Sequence, residues 1–203
     1  MNEQNVKIIT ADPSAIGLFG LAMVTLVASS QKLGLTDGVA LILPWAIFLG
    51  AIAQLIAGFI DFKKNNLFGG TAFCAYGLFW MGIATTWLIN LGVFGPQLAD
   101  AVDMKQLGFA YAGYLVFTLF MTVAASQTNK VLFVIFILIN FLFLGLALST
   151  FGVATDFFHN MAAVSEFLIA ACSLYGAAAI VLNASFKRTI LPQGKPLGKA
   201  SKL

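Results

Sequence analysis

Residues 50–81 read GAIAQLIAGFIDFKKNNLFGGTAFCAYGLFWM. Two apolar runs flank the short polar break DFKKNN, and each run extends past the quoted ends, giving stretches 38–60 and 68–91. Each approaches the roughly 20 residues that a helix needs to cross a bilayer. An apolar run, a tight basic turn and a second apolar run make a helical hairpin in lipid. Lipid has no water to satisfy a strand edge or an irregular backbone.

The same grammar repeats on both sides. Further apolar stretches occupy about 14–30, 106–126, 131–150 and 161–184, separated by turn and charge signals such as QKLGLTD, GVFGPQLADAVDMK and QTNK. The expected fold is all-α integral membrane, with six transmembrane helices over 14–184, a short N-terminal segment 1–13 and a basic tail 185–203. The tail, with two prolines, two glycines and no apolar period, reads as a mobile end. Composition agrees. Of 203 residues, 60% are hydrophobic and 9% charged, against about 25% charged in a soluble domain. A cleaved leader is not expected, because Asp12 and Pro13 stand where a leader carries basic residues.

Lysine and arginine set the orientation. With the N-terminus in the cytoplasm, the inner side holds Lys7, Lys63, Lys64, Lys130, Lys187, Arg188, Lys195, Lys199 and Lys202, and the outer side only Lys32 and Lys105. Asp37, Asp100, Asp103 and Asp156 fall outside. Both termini are thus expected in the cytoplasm of a multi-pass cell-membrane protein. The basic residues form no interleaved nucleic-acid patch. Cys74 and Cys172 lie in apolar runs and read as small packing residues. The single histidine, His159, makes neither a metal cluster nor a cofactor site.

Ionisable residues within a span mark relays and pathways, and these spans hold almost none. Asp12 and Asp61 sit at inner ends and Glu166 near an outer end. With no histidine or lysine at mid-membrane to activate a nucleophile, enzymatic chemistry is not expected. The polar residues fall into helical stripes: Ser14, Gly17, Leu21, Thr25 and Ala28; Gly50, Gln54, Ala57 and Asp61; Tyr111, Tyr114, Thr118 and Thr122. Packing between helices explains any one stripe as well as a pore does. Several together favour a path for a small polar solute. Gln54 either bridges two helices or faces that path, since an unpaired amide in lipid is costly.

At the start of the first span, ADPSAIGLFG (11–20) offers Asp12 as a helix cap and Pro13 at the first turn. The stretch DPSAIGLFG resembles the Asn-Pro-Ala-Pro-Leu-Gly-Leu signature of the acetate uptake transporter family, also called succinate–acetate permeases. Residues 50–81 are similar to that family's second and third spans nearly throughout, and VFTLFM (116–121) and KRTILPQG (187–194) match in place. The resemblance implies six spans per protomer around a central path, assembly as a homohexamer, and passage of acetate, with succinate in some members, as proton symport or through a channel. It places an apolar constriction on Leu21, Tyr76 and Ile139, the signature on Asp12, Pro13 and Gly17, and an acid-selecting position on Ala179. Thr25, Gln54 and Tyr114 are the other expected path-lining residues.

The sequence departs from the family at Asp12 for Asn, Ala15 for the second Pro, and Leu21 for Phe. The partners implied are a small carboxylate, protons and the lipid bilayer. The competing reading is a channel for small neutral solutes such as urea, short amides or ammonia.

Overall fold

The computed structural model describes residues 10–198. Six helices in it are long and apolar enough to cross a membrane: Ser14–Lys32, Leu43–Lys63, Leu67–Asn90, Met104–Ala125, Lys130–Thr150 and Thr155–Phe186. They are called the first to sixth spans. A short helix, Pro96–Asp100, lies between the third and fourth. The remaining described residues form turns and loops, with no strand among them.

The boundaries follow local chemistry. Asn66 and Asn129 cap the third and fifth spans, their side-chain oxygens accepting from Gly69 N at 3.1 Å and Leu132 N at 3.0 Å. The second span starts at Leu43, later than the apolar run, because Gly38 turns at φ +71° and Pro44 sits in the first turn. The sixth begins at Thr155, several residues before the apolar run, with Asp156 in a first turn that favours an acid. Its 32 residues span about 48 Å, more than a hydrocarbon core of about 30 Å.

The spans form a ring in chain order. The first packs on the sixth, the sixth on the fifth, the fifth on the fourth, and the second on the first and third. Where backbones come closest, residues are small. A Cβ on Gly145 of the fifth span would lie 2.6 Å from Phe158 O and 2.9 Å from Ala162 Cβ. The third and fourth spans approach only sparsely. Aromatic rings hold them apart, with Phe79 on Tyr114 at 4.9 Å and Tyr76 on Phe117 at 5.6 Å between centroids.

Within the second span, Ala46–Ala53 is wound as a π-helix, a form often found at functional sites. It passes between bare flanks. A Cβ on Gly20 would collide with Leu49 O, and one on Gly77 would lie 3.0 Å from Ala51 O.

The C-terminal segment departs from expectation. Rather than a free end, residues 190–197 form a strap on the basic face of the ring. The Asn183 Oδ1 accepts from Ile190 N at 2.6 Å and Leu191 N at 3.0 Å, and its Nδ2 donates to Leu191 O at 2.9 Å. Tyr175 Oη donates to Pro192 O at 2.8 Å. Val131 N donates to Gln193 O, and Leu197 N to Ser126 O. Lys7, Lys199 and Lys202, counted in the charge argument, lie outside the described residues.

At the opposite face the partner of Glu166 is Lys32, with Nζ to Oε2 at 2.9 Å and the carboxylate almost fully buried. His159 Nε2 lies 3.2 Å from Lys32 O, so the sixth span holds the end of the first at two points.

Two stability outcomes follow. Gly145→Ala presses a methyl group on backbone that cannot yield and destabilises by about 1–3 kcal/mol, read as a lower melting temperature in detergent. Lys32→Met leaves a buried carboxylate without its cation and costs about 3–5 kcal/mol, whereas Lys32→Met combined with Glu166→Leu recovers most of that loss.

Candidate functional site: a blind cavity in the ring

A cavity of about 240 Å³ enters the ring from the basic face. A single water needs roughly 10–15 Å³, so the cavity has room for a short organic acid. Its mouth is polar, lined by Asp12, Ser14, Asn66, Thr128, Asn129 and Gln193. Three helices begin there, the first, third and fifth, and their amino ends carry positive partial charge. Gln193 reaches the mouth because the strap carries it there. Neither sequence position nor apolar period pointed to it.

Deeper in, the lining turns apolar: Leu18, Phe73, Leu132, Ile135, Phe136 and Ile180. Leu21, Tyr76 and Ile139 also line the cavity and are 7%, 5% and 3% exposed. Each lies about nine or ten residues along its helix from a mouth residue, Asp12, Asn66 or Asn129. That is about 14 Å at 1.5 Å per residue, close to the middle of a 30 Å hydrocarbon core. Past this level the interior is filled with rings. Phe143 stacks on Tyr76 at 6.3 Å and meets Phe79 edge-on at 5.0 Å, and Tyr111 lies 6.2 Å from Phe79.

The expected site residues divide into two groups. Asp12, Gln54, Leu21, Tyr76 and Ile139 line one cavity. Pro13 and Gly17 are buried behind its wall, and a Cβ on Gly17 would lie 2.5 Å from the ring of Phe73. Asp12 is exposed, and its Oδ1 accepts from Ser14 N at 2.9 Å.

Thr25, Tyr114 and Ala179 lie elsewhere. Thr25 is buried, with its hydroxyl donating back to Leu21 O at 2.7 Å. Tyr114 donates to Ala75 O at 2.9 Å and faces a groove on the outer wall between the third and fourth spans. Ala179 is fully buried, and its neighbour Ile180 lines the cavity in its place. A helical stripe tells which residues share a face, but not which of two neighbours or a path that face meets. Phe79 and Phe143 escaped the sequence reading for a related reason. Apart from Asn140, FILINFLFLG (136–145) is apolar, so the sequence gives Phe143 no face of its own on the fifth span.

The polar atoms at throat level are mostly committed. Thr118 Oγ1 donates to Tyr114 O at 2.7 Å. Its only proton is used there, so across the 2.9 Å contact between the two hydroxyls Tyr76 is the donor. Gln54 does not bridge two helices. Its Nε2 donates within its own span, to Gly50 O at 2.8 Å. No lysine, arginine or histidine lines the cavity among the described residues.

The profile of the GPR1/FUN34/yaaH family matches residues 2–195. The chain belongs to that family. It is 35% identical over 186 residues to the succinate-acetate/proton symporter SatP of Escherichia coli K12, covering 91% of this chain and 96% of the relative. Among solved structures it is similar to the bacterial acetate channel SatP, with a TM-score of 0.84 and 35% identity, over 92% of this chain and all of that one. Fungal relatives match over about half their length. One is the ammonia transport outward protein 2 of Saccharomyces cerevisiae, 31% identical over 70% of this chain and 51% of the relative. Another is acetate permease A of Emericella nidulans, 28% identical over 66% and 47%.

Because Tyr76 donates to Thr118, Tyr76→Phe leaves the ring in place and removes one buried bond. The expected loss of stability is about 1 kcal/mol, with acetate flux in vesicles within about twofold of wild type. Tyr76→Ala removes the ring itself and is expected to let larger acids through.

Proposed function

We propose that the protein is a transporter of acetate and other short carboxylic acids, and that they cross its throat as the neutral acid. The observation that carries this is the lining of the cavity: a polar mouth at the amino ends of three helices, then a mostly apolar throat with no fixed cation among the described residues. Support also comes from relatives named as a succinate-acetate/proton symporter and an acetate channel.

Magnitudes favour the neutral form. An acid of pKa about 4 has roughly one molecule in a thousand neutral at pH 7, and protonation there costs about 4 kcal/mol. Moving an unpaired carboxylate into a medium of low dielectric constant costs on the order of 20 kcal/mol in the ideal case and several kcal/mol after relaxation. A throat that offers no countercharge leaves protonation as the cheaper route. The proton then travels with its acid, one for one, and symport needs no relay residue.

The same reading has both chain ends in the cytoplasm, supported by the basic residues Lys63, Lys64, Lys130, Lys187, Arg188 and Lys195 on the mouth side. It also has the protomers assembled as a homohexamer, supported by the family resemblance. The wide apolar flank of the fourth span, where Phe109, Val116, Leu119, Phe120 and Val123 are exposed, suits a neighbouring copy or lipid.

A second reading, passage of ammonia or another small neutral solute, is favoured by the same apolar throat and by the likeness to an ammonia transport protein. Labelled uptake into proteoliposomes separates the two. On the first reading an inward proton gradient drives acetate accumulation, and the rate falls about tenfold for each pH unit above the acid's pKa on the side of entry. Flux of ammonia or urea without acetate uptake would establish the second.

A further inference from the structure

We infer that Gln54 is the residue that recognises the protonated form of the substrate, its Oε1 accepting the acid's O–H at the throat. The inference rests on the carboxylic-acid reading and adds a named site to it.

Gln54 is fully buried, lines the cavity, and its Oε1 has no hydrogen-bond partner among the described residues. Native structures rarely leave such an atom unpaired, and a ligand is one reason they do. Its depth matches the throat. Counted from Lys63, at the basic end of the second span, Gln54 is about nine residues in, or about 14 Å. Leu21, Tyr76 and Ile139 stand at the same level.

The amide cannot turn round. Its Nε2 donates to Gly50 O at 2.8 Å. Reversal would set Oε1 against that carbonyl, two acceptors facing each other. The carbonyl end is therefore held away from Gly50. Gly50 lies within the π-helix Ala46–Ala53.

Asn140 Oδ1, at a similar depth, is also without a partner, but Asn140 does not line the cavity. Among the throat residues Leu18, Leu21, Phe73, Tyr76, Phe136 and Ile139, Tyr76 alone has a polar side-chain atom, and its hydroxyl is already hydrogen-bonded to Thr118, whereas Gln54 Oε1 has no partner among the described residues. The side-chain oxygens of Asn66 and Asn129 at the mouth accept from backbone amides. Gln54 Oε1 is thus an uncommitted acceptor in an apolar chamber. A carboxylic acid gives it a proton to accept, whereas a carboxylate brings a second negative oxygen. The geometry distinguishes the two forms of one molecule by a hydrogen bond that only one can make. A site built around a hydrogen bond discriminates strongly against a ligand that cannot make it.

The test uses proteoliposomes of the full chain, with acetate uptake driven by a proton gradient and measured against empty vesicles. Acetamide and acetone are the competitors. They match acetic acid in size, but acetamide has donor N–H groups and acetone has none. In the wild type acetamide is expected to inhibit at least tenfold better than acetone. In Gln54→Met that ratio falls to within about twofold, and acetate uptake falls at least tenfold. Gln54→Glu, which when protonated donates to Gly50 O and keeps a free carbonyl oxygen, recovers uptake at acidic pH and loses it, relative to the wild type at the same pH, as pH rises.

Equal inhibition by acetamide and acetone in the wild type would overturn the inference without any variant. So would a Gln54→Met protein with an unchanged melting temperature that takes up acetate as the wild type does. Absence of acetate uptake by the wild type is a different result. It overturns the carboxylic-acid reading, and the role of Gln54 falls with it.

Discussion

Closure of the ring depends on the seam between the third and fourth spans, where Tyr76 donates across 2.9 Å to Thr118. At the other seams glycine or alanine on one span lets a neighbour approach closely, as at Gly20, Gly77 and Gly145, and dispersion holds such contacts without a hydrophobic drive. Across this seam the backbones stand apart. Rings from Tyr76, Phe79, Tyr114 and Phe117 fill the gap, and the Tyr76–Thr118 and Tyr114–Ala75 bonds fix their orientation. The rings that close the seam also close the path. Tyr76 belongs to the aromatic layer on one side and to the throat on the other, so a change there is felt in both.

Satisfying buried polar groups governs the rest. Thr25, Thr118 and Thr122 each return a proton to the carbonyl four residues back, which silences a hydroxyl that would otherwise need a partner in lipid. The one buried ion pair among the described residues, Lys32 with Glu166, sits at the face away from the mouth, where it ties the first span to the sixth. Placed in the throat, either charge would have made a site for ions. At the end away from the mouth it is a clasp. Of the buried polar atoms left without a partner among the described residues, Gln54 Oε1, Asp61 Oδ2, Asn140 Oδ1 and Ser173 Oγ, Gln54 alone belongs to a residue that lines the cavity, and the chemistry proposed for the path follows from that placement.

Much of the architecture was legible in the residues. Apolar runs of fixed length, broken by Asn-, Asp-, Gly- and Lys-rich turns, can be satisfied in lipid only as helices, so span number and order followed directly. Where boundaries moved, the cause was local. Pro44 delayed the second span, and Asp156 let the sixth start early. The π-helix over Ala46–Ala53 was not legible, because nothing in AIFLGAIA differs from an ordinary apolar helix. It lies where the second span passes between Gly20 and Gly77. The strap was not legible either. ILPQGKPL has no period of its own and is ordered by bonds to Asn183, Tyr175, Ser126 and Val131, which lie far from it in sequence or across a turn.

The site shows the same division. Leu21, Tyr76 and Ile139 were assigned to one constriction through family resemblance, and the fold brings all three to one cavity. Thr25 and Tyr114 carry the right groups on the right stripes, yet their hydroxyls bond to backbone carbonyls and face away from it. The sequence by itself determined that this is a six-span membrane protein with almost no charge at mid-depth, because a lipid environment leaves the backbone no alternative and makes each buried charge costly. Only the tertiary structure decided which polar atoms face the path. A stripe on a helix has to meet something, and whether that is a neighbouring helix, lipid or a cavity depends on how the six helices are turned against one another.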